Sequence, residues 1–286
     1  MNPHDTPSPI RKLPASNGAQ WLLDGFALLR KAPLALGLLG LIWGGVSAAA
    51  SISGQLWLSL VLAVLGPLLF GGVVYAAREV DLGRSAHPAH LVQGLREGKL
   101  ARFLTMLLPQ LAALVVLAVL LVVMVGSDEL QHMAEVMEKL QASPNPDPAL
   151  VQSLPVGSLF AWLVAVLVVS LVAGFFTFIA IPDVMFTERG GMAAMGLSLR
   201  ACLRNIGAVL VFMVLFVIVL FALSIGVNIL VVLLGFAIGQ MPALFIGQLL
   251  MMSVLLPLIG GTIYSAWRHM LDDVPPPLSN STGIEA

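Results

Sequence analysis

Four stretches of the chain, residues 32–77, 103–127, 149–182 and 206–267, contain no Asp, Glu, Lys or Arg. A helix gains 1.5 Å per residue, so about 20 apolar residues cross a bilayer. The first and last stretches are each long enough for two crossings joined by a tight turn, and the middle two hold one each. The predicted spans are about 34–53, 56–77, 103–126, 158–181, 206–234 and 243–267. No period-two alternation runs through them, so they read as helices and not as barrel strands. The expected fold class is an all-α integral membrane protein with six transmembrane helices arranged as three hairpins.

A shorter segment of a different pattern precedes each predicted hairpin. Over residues 20–31, Gln20, Asp24, Ala27 and Lys31 share one face at helical spacing, while Trp21, Leu22, Phe26 and Leu29 occupy the rest. Residues 90–102 set Gln93, Arg96 and Glu97 against Leu91, Val92 and Leu95, and residues 191–205 set Ser198 and Arg204 against Met192, Met195, Leu199 and Cys202. Each segment is expected to lie on the cytoplasmic side as an amphipathic interfacial helix.

The three segments align on Asp24-Gly25-Phe26, Gln93-Gly94-Leu95 and Leu197-Ser198-Leu199. Removing the insert at 127–157 makes their two separations nearly equal. Spans two and six also close alike, with Gly71-Gly72-Val-Val-Tyr75-Ala-Ala77 and Gly260-Gly261-Thr-Ile-Tyr264-Ser-Ala266. The chain therefore reads as a three-part repeat. Its even-numbered spans carry Pro67, Pro182 and Pro257, where a lost backbone hydrogen bond is expected to kink the helix. Gly40, Gly44 and Ala48 form a small-residue face on span one, suited to a close helix contact within the molecule.

Composition agrees with the pattern. With 59% apolar and 10% charged residues and a mean hydropathy of +0.99, the chain is too apolar for a water-soluble fold of its length. Its charges then assign a direction. Of the 14 Lys and Arg, Lys139 alone falls within 127–157, which carries Asp128, Glu129, Glu135, Glu138 and Asp147. Basic residues mark cytoplasmic loops. The expected location is a bacterial inner membrane with both termini cytoplasmic. Residues 19–271 form a single membrane domain, 127–157 a periplasmic insert, and 1–18 and 272–286 disordered cytoplasmic ends. The insert has a helix of its own: Ser127 caps it, Leu130, Met133, Met137 and Leu140 make a stripe, and the Pro-rich residues 143–148 end it.

Chemistry within the membrane needs a nucleophile with a base, or a metal with ionisable ligands. None of these groups falls in a predicted span interior, where each charge costs about 2.5–3.5 kcal/mol. No enzyme activity and no cofactor are expected. Cys202 has no partner cysteine, and Pro88 separates His87 from His90, so no metal site is expected either. No nucleic-acid module is present. Among the polar residues of the spans, Asn228 and Gln248, with Gln110, are candidates for lining a shared cavity. At the basic end, Asp183 follows Pro182, and Arg200, Arg204 and Asn205 close the segment before span five. These four are the candidate residues for an anionic lipid head group.

Several runs resemble a known family: Trp21-Leu-Leu-Asp-Gly-Phe26 with Lys31-Ala-Pro33; Gly66-Pro-Leu-Leu-Phe-Gly-Gly72 leading to Arg78, Asp81 and Gly83; His90-Leu-Val-Gln-Gly94; Ser198-Leu-Arg-Ala-Cys-Leu-Arg-Asn205; and Pro257-Leu-Ile-Gly-Gly261 with Tyr264 and Arg268. Together they resemble an uncharacterised family of six-span bacterial inner-membrane proteins. More distantly, they are similar to the membrane domain found beside some glycerophosphodiester phosphodiesterases, without the catalytic domain. The resemblance covers about residues 21–270 apart from the insert, with Leu95 standing where Phe is the family's residue. It implies a fold and a location and supplies no catalytic residue. The function expected is that of a non-enzymatic inner-membrane protein, lipid-associated or scaffolding in envelope maintenance, with membrane lipids as partners. The alternative is a transporter or export factor for an apolar or amphipathic solute, using a cavity between the kinked even-numbered helices.

Overall fold

The structure is a computed structural model that describes residues 10–142 and 154–271. Residues 143–148 and the tail 272–286, which figured in the expectations above, lie outside the described residues. The helices are α1 (Asn17–Lys31), α2 (Pro33–Ile52), α3 (Leu56–Asp81), α4 (Gln93–Arg96), α5 (Leu100–Leu104), α6 (Leu108–Val125), α7 (Ser127–Ala142), α8 (Val156–Thr177), α9 (Ala180–Phe186), α10 (Gly191–Arg204), α11 (Ile206–Ile238) and α12 (Gln240–Met270). Six helical runs are long and apolar enough to cross a membrane: Pro33–Ser51, Leu56–Asp81, Leu100–Val125, Val156–Phe186, Ile206–Ile238 and Gln240–Met270. Among the described residues the fold is all-helical, with the make-up of a multi-pass membrane protein.

Two of these runs continue past their predicted limits through a carboxylate, and that carboxylate is paired. α3 continues through Glu79, whose carboxylate accepts from Arg84 Nε and Nη2 at 2.5 and 2.6 Å. Span four continues through Asp183, held by Arg189. A paired charge offsets part of the desolvation penalty that would otherwise stop an apolar helix. The three prolines also divide in role. Pro67 and Pro257 lie inside α3 and α12. Pro182 instead sits in the first turn of α9, after the helix has broken beyond Thr177. There its missing N–H has no intrahelical acceptor to lose, so this proline begins a helix and does not kink one.

Contacts divide the chain into two units, residues 1–106 with 176–286, and residues 107–175. In the first, α12 is the central element and packs against α1, α2, α3 and α11. Gly40 and Gly44 of α2 meet α12 at Met252, which makes the small-residue face an intramolecular contact. In the second unit, Trp162 Nε1 donates to Leu117 O at 3.2 Å. The stripe on α7 is turned slightly from expectation: Val136 is buried, whereas Met137 is 54% exposed.

The segments that introduce the spans pack in a regular way. α1 lies on α12, where a Cβ on Gly25 would meet Leu258 O at 2.8 Å and Thr262. Residues 88–104 lie on α3, where a Cβ on Gly94 would meet Leu68 Cδ1 at 2.9 Å. α10 lies on α9, and Ser198 Oγ accepts from Ile179 N at 3.1 Å. Gly25, Gly94 and Ser198 are the residues matched in the sequence alignment. Their contacts Leu258 and Leu68 each follow a proline, Pro257 and Pro67. Each small residue thus rests on the even-numbered span that precedes it in cyclic order, with α1 closing the cycle on span six.

Residues 90–102 do not form the single helix their periodicity predicts. A 3-10 turn at Pro88–Val92 leads into α4, which ends at Gly98 with φ of 68°. Lys99 N bonds back to Gly94 O and Gly98 N to Leu95 O, a paired closure that needs a left-handed residue and so favours glycine. Residues 10–16 also differ from the disordered end expected there. Ile10 pairs with Leu271 as an antiparallel bridge, Arg11 N donates to Met270 O, and Asn205 fixes Leu13.

Candidate functional site

The structure gives Asp183, Arg200, Arg204, Asn205, Asn228 and Gln248 quite different surroundings, and Gln110 is exposed on α6. Asn205 is buried, and its amide is fully engaged: Oδ1 accepts from Leu13 N at 2.7 Å, and Nδ2 donates to Arg11 O and Ala201 O at 3.0 Å. It is a clamp for the incoming chain. Asp183 is 1% exposed and accepts from Arg189 Nη1 through both oxygens, at 2.7 and 2.8 Å, and from Trp267 Nε1 at 3.3 Å. Arg200 and Arg204 are exposed on α10, with Arg200 Nε turned back to Gly196 O. Asn228 and Gln248 are exposed on α11 and α12 and line neither of the two cavities described below. The six are therefore not brought together as one site.

A different set of residues converges where α1, α3 and α12 meet. A polar cavity of about 100 Å³ is lined by Asp24, Ala27, Leu28, Lys31, Asp81, Tyr264, Ser265 and Arg268. Asp81, near the end of α3, accepts from Tyr264 Oη at 3.0 Å through Oδ2, and Arg268 Nη1 pairs with the same oxygen. Asp24 accepts from Gln20 Nε2 at 2.7 Å through Oδ1 and from Ser265 Oγ through Oδ2. Tyr264 and Ser265 are buried, so α12 holds both carboxylates at fixed places. The docking of Gly25 onto α12 brings Asp24 within reach of Ser265.

Beside this cavity, on the outer side of α1, runs an open groove of about 540 Å³ lined by Leu23, Phe26, Ala27, Leu29, Arg30 and Pro33. Ala27 borders both. Leu23 is 61% and Phe26 39% exposed, so α1 keeps one apolar stripe uncovered while Trp21, Leu22 and Leu28 are buried against the bundle. Arg30 and Lys31 are both exposed and form no ion pair or hydrogen bond among the described residues. The result is an apolar groove and a charged cavity side by side, with two cations along their common edge.

An aromatic cluster stands behind the cavity. Phe186 contacts Tyr264 and Trp267 at centroid distances of 5.9 and 5.1 Å, and the Arg78 guanidinium lies 4.7 Å from the Phe186 ring centroid. Tyr75 joins it, edge-on to His90 at 5.1 Å. Burial holds the His90 pKa below its ordinary value, and His87 and Arg96 add to that while Glu79 opposes it. Its Nδ1 accepts from His87 N at 3.3 Å, as a neutral imidazole must. Lone Cys202 has its thiol pushed up to about 12 by burial, so it is not a thiolate at neutral pH.

The sequence held two signals for this site: Asp24, Ala27 and Lys31 share a face of the first amphipathic segment, and Asp24, Lys31, Asp81, Tyr264 and Arg268 all stand in the runs singled out above. Reading that face as solvent-directed placed it away from α12. Asp81 and Arg268 are 187 residues apart, and nothing in their spacing pairs them. Comparison of the chain with protein-family models, curated proteins and solved structures finds no match.

Proposed function

We propose that this protein is a non-enzymatic, lipid-associated protein of a bacterial inner membrane, working at the end of its bundle that carries the basic residues. That end faces the cytoplasm in this reading, with both termini on the same side, because basic residues are retained there during insertion. The observation that carries the proposal is the apolar groove adjoining a charged cavity, with Ala27 common to both and Arg30 and Lys31 on the boundary. A ligand matching it has an apolar tail and a charged head, which is the description of a membrane lipid. The exposed stripe of Leu23 and Phe26 lets such a ligand enter sideways from the bilayer. A scaffolding role in the envelope is compatible with the same surface.

Two measurements test this reading. Full-length protein purified in a mild detergent should retain phospholipid visible by native mass spectrometry, and the double variant Arg30→Ala/Lys31→Ala should lose most of it. Retention that is identical in the variant would overturn the assignment to this groove. For orientation, reporter fusions after Gly83 and Gly126 should report the cytoplasmic and the opposite side respectively, and the reverse result would invert the proposed topology.

A further inference from the structure

The cavity and groove together specify the class of lipid, and this inference rests on the lipid-associated reading above. We infer that the site takes a zwitterionic phospholipid whose head carries a primary ammonium, with the ammonium in the cavity, the phosphate at its rim and an acyl chain in the groove.

The charges lining the cavity are balanced in number but not all paired. Arg268 is engaged with Asp81. Asp24 accepts only from the neutral groups of Gln20 and Ser265, and Lys31 has no partner among the described residues. One carboxylate and one ammonium are thus left without opposite charges while lining the same cavity. They are seven residues apart on α1, about 10 Å along the helix axis. A purely anionic head satisfies Lys31 and Arg30 but brings its charge towards Asp24 and Asp81. A zwitterion satisfies both ends.

The acceptors favour a head that donates hydrogen bonds. Asp81 Oδ1 accepts none from the described residues, since Tyr264 and Arg268 both use Oδ2. Asp24 has spare lone pairs on both oxygens. A primary ammonium brings three N–H donors to these carboxylates, and a quaternary ammonium brings none. The order of parts along the site also matches such a lipid. Asp24 and Asp81 line the cavity, Lys31 lines the cavity and adjacent Arg30 lines the groove, and Leu23, Phe26, Leu29 and Pro33 continue it. Amine, phosphate and acyl chain follow one another in the same sequence.

The test is a binding series on the full-length protein in detergent micelles, using dioleoyl phospholipids with ethanolamine, N-methyl-, N,N-dimethyl-ethanolamine, choline and glycerol heads. Affinity should fall stepwise as N–H donors are removed, with choline and glycerol heads weaker by about tenfold or more, the scale of a lost charge-assisted hydrogen bond. Asp24→Asn should reduce the ethanolamine-to-choline ratio to below about threefold, within the reach of one neutral hydrogen bond, and leave glycerol-head binding no weaker. The methylation series needs no variant, so it decides the matter even if Asp24→Asn fails to fold. Equal affinity across the series, or tighter binding of the glycerol head, overturns the inference and leaves the lipid-associated reading standing. Absence of binding by every lipid overturns both. Soluble phosphoethanolamine should compete only weakly, and competition as strong as the intact lipid's would show that the ligand is a free head group and so overturn the assignment of the groove.

Discussion

Asp183, at the end of span four, holds the bundle together and is closed to a ligand. Its carboxylate is 1% exposed and, among the described residues, accepts side-chain hydrogen bonds from Arg189 and Trp267. Removing the cation leaves the carboxylate buried and uncompensated, which costs about 3–5 kcal/mol in buried pairs. Arg189→Ala should therefore lower unfolding stability in micelles by several kcal/mol, and Asp183→Asn/Arg189→Gln should recover part of the loss. From the sequence alone Asp183 looked like a ligand residue, since a charge near a span end is compatible with binding or with pairing. Which of the two holds depends on how the chain turns back at Thr187 and Glu188, and the hydrophobic pattern is silent on that.

At the scale of elements, the clearest lesson is α1. Its amphipathic period was legible, and its use was not. A helix with two apolar stripes and one polar face has three ways to lie on a bundle, and close packing selects among them. Gly25 decides the outcome by letting α1 approach Leu258 and Thr262. Gly25→Val should displace α1, cost about 1–3 kcal/mol by overpacking, and abolish lipid retention together with the Asp24–Ser265 contact. The periodicity of residues 90–102 misleads for a different reason: it runs through Gly98, but the left-handed closure there ends the helix. That segment should also be sensitive to acid. The folded pKa of His90 lies below its unfolded value, so its contribution to stability is fully present above about 6.5. It is lost as pH falls through the lower folded value, when Nδ1 becomes protonated and can no longer accept from His87 N. Hydrogen exchange at residues 88–92 should therefore accelerate, after correction for intrinsic rate, between pH 7 and pH 5, and His90→Gln should remove most of that dependence.

For the whole molecule, the uncharged stretches made six long apolar helices legible, and the aligned small residues marked where the introducing segments dock. Neither showed that the introducing segments pack in cyclic order, with α1 on α12, because that contact joins residues near opposite ends of the chain. The site at α1, α3 and α12 exists only through this closure, so its acidic and basic residues looked unrelated in sequence. The proposed lipid site on α1 depends on this closure. The most direct measurement is photocrosslinking with an ethanolamine phospholipid that carries a diazirine near the head end of one acyl chain, followed by peptide mapping. Adducts should concentrate on residues 23–33, at Leu23, Phe26, Leu29 or Pro33, and be lost in Arg30→Ala/Lys31→Ala. Adducts spread over the exposed faces of α6, α8 and α11, with none enriched on α1, would contradict it.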